Sequence, residues 1–353
     1  MGNGRIRPRS GIIEAMRRWS GAILGWLIAL ALGWAGAPQV QARAAVLMDA
    51  ETGQVLFAKN AHQPLPPASL TKIMTAIVVL ERCELDAVVK ASQRAVNAKA
   101  SSMHLRVGET VKVRDLLYAL MLRSANDAAI ALAEHTAGSV EAFAALMNEK
   151  AKSLGAKHTR FVNPHGLHDP RHLSTAYDLA LITRYAMENE TFRAIVKAPY
   201  YIVERSVNQG DLWMVNKAKF LEQYAYAEGV KTGYTNQAGY CFAGSAYRDG
   251  RRLITVVLNS PQRVADTIAL MEHGFNDWER MELPAGMAVG EAQVEDGVET
   301  QTPLRLAEPL RWVMPKAHKA RYRWGCKRTR CAPLCRQATP QAGWWSTATR
   351  SRS

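Results

Sequence analysis

An α+β fold is predicted by three features of this sequence: a short apolar hairpin near the start, a long helical middle, and a return to β-type runs after residue 201. A sheet assembled from the first and last of these parts, with helices inserted between them, follows from that order. Ala44 to Asp49 and Val55 to Lys59 are apolar runs separated by Ala50-Glu-Thr-Gly-Gln, a strand pair with its glycine in the turn. The stiff, Pro-rich stretch from Gln63 leads into Ser69 to Leu80, which reads as a buried helix starting near the serine. Residues 90–160 are rich in Ala, Leu, Glu and Lys and predict helices around 113–122, 126–137 and 140–154. Asn163 to Pro170 is a loop by its Pro and Gly content, and Thr175 to Glu188 is helical again. Strands are expected at Tyr201 to Arg205, Gly229 to Gly233, Tyr240 to Ala246 and Arg252 to Leu258, the last two joined by the turn signal Arg248-Asp-Gly.

The chain has 353 residues, 48% of them apolar, enough for a full-sized core and a second module, and its composition excludes a disordered or fibrous protein. The net charge of +14 invites a nucleic-acid or membrane partner until its location is read. The first 42 residues carry five arginines against Glu14, and residues 309–353 carry eleven cations and no acid, so residues 43–308 lie within one charge of neutral. The basic balance therefore says little about what the core binds.

Basic residues through Arg18, an uncharged run from Trp19 to Ala37 and then Val40-Gln41-Ala42 form the pattern of a secretory signal peptide over residues 1–42, cleaved after Ala42. An uncleaved anchor is the alternative, the run being near the lower limit of roughly 17 residues for a spanning helix. Either way the body of the protein is placed outside the cytoplasm. Cys83 and Cys241 are isolated and Cys326, Cys331 and Cys335 cluster near the end, so no disulfide framework is legible.

Three short motifs occur in order: Ser69-Leu-Thr-Lys72, Ser124-Ala-Asn126 and Lys231-Thr-Gly233. A serine with a lysine three residues on in a helix places both side chains on one face, within reach of each other. A serine hydroxyl needs a base, and lysine serves when burial or neighbouring cations leave its amine partly neutral. The apolar run after Lys72 supplies the burial, and the Ser69 N–H at a helix start is a candidate oxyanion donor. Seen alone, Ser124 and Asn126 read as a helix cap and a turn residue; as a functional pair, Ser124 passes a proton to a leaving amine and Asn126 binds a substrate amide. Lys231 lies on an expected strand, where a cation can hold a carboxylate, and Gly233 lets a substrate backbone lie close to the strand edge.

With these motifs and the stretches Pro66 to Thr75, Met121 to Ala129, Phe161 to Leu167 and Leu173 to Ala180, the chain resembles the low-molecular-weight D-alanyl-D-alanine carboxypeptidases of serine peptidase family S11 over roughly residues 44–310. The resemblance implies a β-lactamase/transpeptidase-like catalytic domain over residues 43–275: an antiparallel sheet flanked by helices, with a helical insertion. It implies that Ser69 is acylated by the penultimate D-alanine of a peptidoglycan stem peptide, with Lys72 as base and Ser124 in the proton path. The N–H groups of Ser69 and Tyr234 form the oxyanion hole; Asn126, Lys231, Thr232 and Gly233 bind substrate, and Arg263 assists at the terminal carboxylate. β-Lactams acylate the same serine, and no cofactor or metal is called for.

Other readings use the same residues. A β-lactamase shares the three motifs, but the loop from Asn163 lacks the glutamate that class A enzymes use for deacylation. A transpeptidase or endopeptidase on the same scaffold differs only in the acceptor. His158, His165, His168 and His172 raise zinc chemistry, against which Gly166 and Pro170 break any helix that would bring His168 and His172 to one face. Cys326, Cys331 and Cys335 with His318, among tryptophans and cations, raise a non-catalytic wall-binding or nucleic-acid-binding protein; the spacing is irregular for a metal finger, and no nucleic-acid partner is expected outside the cell. Residues 284–314 alternate weakly, as the start of a C-terminal β domain does. From about Pro315 the pattern fails, which points to a frameshifted or truncated, disordered tail and an incomplete second domain. The amphipathic helix that often ends such chains, and with it peripheral membrane contact, is then missing.

Overall fold

The computed structural model of the chain describes residues 37–293 and 301–316. The expected leader up to Gly36 and the tail from Ala317, with its three cysteines and His318, lie outside the described residues. Residues described up to Glu279 form one compact unit and those from Arg280 a second.

The first unit opens with β1 (Ala44–Asp49) and β2 (Val55–Lys59), followed by α1 (Thr71–Arg82), β3 (Val88–Lys90), α2 (Gln93–Val96), β4 (Thr110–Lys112) and α3 (Val113–Tyr118). Then come α4 (Asn126–Ala137), α5 (Val140–Ser153), α6 (Ala176–Ala186) and α7 (Glu190–Lys197). The chain returns to strands with β5 (Tyr200–Ile202) and β6 (Trp213–Val215), α8 (Phe220–Gln223), β7 (Ala227–Thr235), β8 (Gly239–Arg248) and β9 (Arg251–Leu258), and closes on α9 (Arg263–Asp277).

A five-stranded sheet runs in the order β2-β1-β9-β8-β7, antiparallel at each junction for which the register is defined. It joins the start of the chain to its end, as the order of elements predicts, and the α+β expectation is borne out. Every residue of β1 is buried, because both faces of the sheet are covered. Val46 and Met48 face the main core with the helical middle, whereas Leu47 turns the other way, toward α9. There Gly274 leaves the room: a Cβ at that position would lie 2.5 Å from Leu253 Cδ1 and 2.9 Å from Leu47 Cδ2. α1 is buried on all sides from Thr71 to Val79, the pattern of a helix at the centre of a core.

Some elements escaped the sequence reading. β3 and β4 pair with each other, and β5 pairs with β6 in a separate ribbon, so the strand expected at Tyr201 does not join the main sheet. Three-residue strands carry too little period-two pattern to be read. Residues 40–42 are also part of the packed unit. Ala42 is buried, the backbone N–H groups of Gln41 and Ala42 donate to the Asp266 carboxylate (3.1 and 2.9 Å), and Lys59 donates to the Val40 carbonyl (2.7 Å). Cleavage after Ala42 would remove all three bonds.

β10 (Trp278–Leu283), which enters the second unit at Arg280, pairs with β13 (Leu310–Pro315), and β11 (Ala288–Gln293) pairs with β12 (Gln301–Arg305). Among the described residues, no helix is long and apolar enough to cross a membrane.

Candidate active site

Ser69 lies in a single 3₁₀ turn, Ala68–Leu70, that leads directly into α1, so Lys72 follows it on the first turn of the helix. The helical spacing brings Lys72 Nζ to 3.0 Å from Ser69 Oγ. Two further acceptors hold the same nitrogen: Asn126 Oδ1 at 2.7 Å and the His165 carbonyl at 2.6 Å. Burial first, and then the charges of Lys231 and Lys217, hold the Lys72 amine well below the usual lysine range, with Asp127 opposing them. A neutral amine spends its two N–H groups on Asn126 and His165, which leaves its lone pair for the Ser69 hydroxyl. That is the geometry of a general base on its nucleophile.

The Asn126 carboxamide is held at both ends. Its Nδ2 donates to the Lys99 carbonyl (2.7 Å), which leaves Oδ1 for Lys72. Asp127 fastens the loop that supplies this carbonyl, accepting from Met103 N (3.1 Å), Leu105 N (3.0 Å) and Ser102 Oγ (2.5 Å). Ser124 does not cap α4, as the sequence suggested when the motif is taken alone. It follows a π-type turn, Ala119–Arg123, and sits buried in the left-handed region at φ 68°. A residue other than glycine in that region is strained, a feature that concentrates at functional sites.

β7 brings Lys231, Thr232, Gly233 and Tyr234 to the same place. A Cβ on Gly233 would lie 3.2 Å from Ser69 N and 3.3 Å from the Pro67 carbonyl, a tight fit, so glycine eases the close approach of the strand to the Ser69 turn. Lys231 is buried, and burial, then Lys217 and Arg263, bring its pKa down to about 7. Among the described residues no carboxylate pairs with it; its Nζ reaches only the Thr232 carbonyl, at 3.3 Å. Arg263, the first residue of α9, stacks its guanidinium 4.8 Å from the centroid of Tyr240, directly across the ladder from Tyr234. Burial lowers its pKa too. Two cations that have no carboxylate partner among the described residues are suited to a substrate carboxylate. The Tyr234 side chain is exposed, its ring 4.7 Å from that of Tyr240 and its hydroxyl on Asn236, so what it offers the cleft is backbone.

Of the residues singled out in the sequence, Ser69, Lys72 and Asn126 are joined by hydrogen bonds, Gly233 packs against the Ser69 turn, and Lys231 lies within the electrostatic reach of Lys72 and Arg263; Thr232 and Tyr234 flank Gly233 on β7, and Ser124 stands two residues before Asn126. Lys217, which no motif marked, is exposed just beyond β6, and its charge acts on both Lys72 and Lys231. The His165 carbonyl was also missed, since a backbone acceptor leaves no side-chain signature. The histidines have their own occupations: His165 Nδ1 accepts from Leu167 N (3.1 Å), and His172 lies between Val162 N (3.1 Å) and Thr71 Oγ1 (2.8 Å).

A serine hydroxyl 3.0 Å from a buried lysine amine, with Lys231 and Arg263 nearby, is an arrangement suited to serine acyl transfer. The family model described as D-alanyl-D-alanine carboxypeptidase matches residues 33–262. The chain is 34% identical over 279 residues to the D-alanyl-D-alanine carboxypeptidase DacF of Bacillus subtilis, covering 76% of this chain and 72% of that one. Penicillin binding protein 5 of Haemophilus influenzae, a solved structure, superposes with a TM-score of 0.72 at 32% identity, over 80% of this chain and 85% of that chain. The DD-transpeptidase of Streptomyces K15, solved as a mutant, superposes with a TM-score of 0.63 at 38% identity, over 67% of this chain and 99% of that chain. The chain belongs to the D-alanyl-D-alanine carboxypeptidase family.

Proposed function

We propose that this protein is a serine-type D-Ala-D-Ala carboxypeptidase of cell-wall metabolism, with Ser69 as its nucleophile. The observation that carries the assignment is the Lys72 nitrogen, buried, bonded to Asn126 and His165, and 3.0 Å from Ser69 Oγ. Ser69 Oγ attacks the carbonyl carbon of the penultimate D-alanine as its proton passes to Lys72. The N–H groups of Ser69 and Tyr234 hold the oxyanion. The C–N bond then breaks, and the terminal D-alanine leaves with a proton delivered through Ser124. Water, activated by Lys72, hydrolyses the ester and frees Ser69.

Lys231, Thr232 and Arg263 hold the terminal carboxylate, Asn126 binds the substrate amide, and Gly233 lets the substrate lie along β7. The substrate is the peptidoglycan stem peptide, and the site lies on the extracytoplasmic side of the envelope. β-Lactams acylate Ser69 by opening their ring amide; the expelled amine takes up a proton but stays tethered to the acyl group, so it does not vacate the site for water as a departing D-alanine does, and the ester persists. The loop from Asn163 presents the His165 carbonyl to Lys72 where a β-lactamase would need a carboxylate for its water. Likeness to a DD-transpeptidase favours a second outcome, transfer of the same acyl group to an amine. Release of D-alanine from diacetyl-Lys-D-Ala-D-Ala, with and without a glycyl amine acceptor, tests both: Ser69→Ala should release none, and undiminished release by that variant would refute the assignment.

A further inference from the structure

Ala68, immediately before the nucleophile, is buried in the left-handed region at φ 48°, a conformation that an alanine adopts only when its surroundings impose it. Those surroundings can be named. The Ala68 carbonyl accepts the Thr71 hydroxyl (2.8 Å), and Thr71 Oγ1 lies 2.8 Å from His172 Nε2. At the other side of the ring, the Val162 backbone N–H donates to His172 Nδ1 (3.1 Å). In the neutral ring that bond places the proton on Nε2, so His172 donates to Thr71 and Thr71 donates to Ala68. Gly166, at φ 84°, walls the carbonyl in: a Cβ there would lie 1.9 Å from Ala68 O and 2.8 Å from Thr71 Oγ1.

The Ala68 carbonyl and the Ser69 N–H belong to one trans peptide, in which they point in opposite directions. Fixing the carbonyl against Thr71 fixes the Ser69 N–H on the other side, where β7 passes at Gly233. A hydrogen bond accepted by the carbonyl also polarises the N–H of the same peptide.

We propose that His172 and Thr71 are positioning residues that hold the Ala68–Ser69 peptide so that the Ser69 N–H faces the developing oxyanion. Neither touches substrate; both act through one peptide plane. The inference rests on Ser69 being the nucleophile proposed above. Burial keeps the His172 ring neutral, with its pKa down at about 4, so the direction of the relay holds at neutral pH.

The test measures acylation of the full chain by benzylpenicillin, kcat and KM for diacetyl-Lys-D-Ala-D-Ala, and the infrared stretch of the acyl-ester carbonyl. Thr71→Val should slow acylation and lower kcat by roughly 10²-fold, leave KM within about twofold as an effect confined to the transition state, and raise the carbonyl frequency. Thr71→Ser should restore all three. A Thr71→Val enzyme with wild-type acylation and an unshifted carbonyl, or a Thr71→Ser enzyme as impaired as Thr71→Val, overturns the relay. Should Thr71→Val fail to fold, His172→Gln and His172→Leu carry the test. The amide can donate to Thr71 and accept from Val162, so Gln should stay within about tenfold of wild type while Leu loses what the valine variant would lose, a relay effect on the scale of one oxyanion donor; equal losses overturn the proposal. If the wild-type chain itself forms no adduct at Ser69, the nucleophile assignment falls first, and that result is distinct from a normal adduct with insensitive variants.

Discussion

Lys72 Nζ lies 3.0 Å from Ser69 Oγ while its other two bonds are taken by Asn126 and by the His165 carbonyl. This pairing suits Lys72 to the proposed role of base, and it follows from helical spacing plus burial. Lys72→Met should therefore slow acylation of Ser69 by roughly 10²–10⁴-fold. Lys72→Arg should fail as badly, because a guanidinium keeps its proton. Stopped-flow acylation with a chromogenic cephalosporin measures both, and an arginine variant near wild-type rate would exclude lysine as the base.

The pH dependence of the reaction follows from Lys231. Its pKa, brought down to about 7 by burial and by Lys217 and Arg263, means that the free enzyme loses this cation as the pH rises through that value. kcat/KM for a carboxylate-bearing substrate should fall on the basic side with an apparent pKa near 7. Lys217→Ala removes a neighbouring positive charge, so it should move that limb to higher pH. A limb that stays in place or moves down in the variant would show that Lys231 is not the group titrating.

The same burial costs stability. A lysine whose pKa is depressed on folding destabilises the folded state fully below its folded value, and the cost fades as the pH rises toward its ordinary value. Lys231→Met should accordingly unfold at a higher temperature than wild type at pH 6, by about 2–4 °C per kcal/mol recovered, while losing activity. The difference should narrow toward pH 10. Calorimetric scans at the two pH values decide it; a lower transition at pH 6, or a gap that widens with pH, contradicts the account.

The unit begins before β1. Asp266 accepts from Gln41 N, Ala42 N and Ser260 Oγ, and Ala42 is buried among them. If a leader is removed, the new N-terminus should therefore lie upstream of Val40, which N-terminal sequencing reads directly; a sequence starting at Arg43 would contradict it. Asp266→Ala should destabilise the unit by about 1–3 kcal/mol for each donor left unpaired, measured by urea unfolding.

How far these features were legible depends on how local their causes are. Ser69 and Lys72 could be read because three residues of helix fix their relation. The sheet could be read because its strands are long and apolar, whereas β3, β4 and β6, of three residues each, left no pattern. Arg263 carries no local motif, since its place near Lys231 depends on how α9 packs against the sheet and on the stacking partner Tyr240. Lys217 and the His165 carbonyl were invisible for a similar reason: one is a lone cation after a short strand, the other a backbone atom, and both acquire meaning only from tertiary contacts. Reading the residues at 40 and 42 as a cleavage signal could not include the carboxylate 224 residues away that holds Ala42, because that contact is tertiary.

The most direct test of the central claim is the intact mass of the full chain after incubation with benzylpenicillin, followed by peptide mapping of any adduct. The account predicts a single increment equal to one benzylpenicillin, located on the peptide containing Ser69 and absent in Ser69→Ala. A folded wild-type protein that gains no mass, or an adduct that persists in Ser69→Ala, would contradict it.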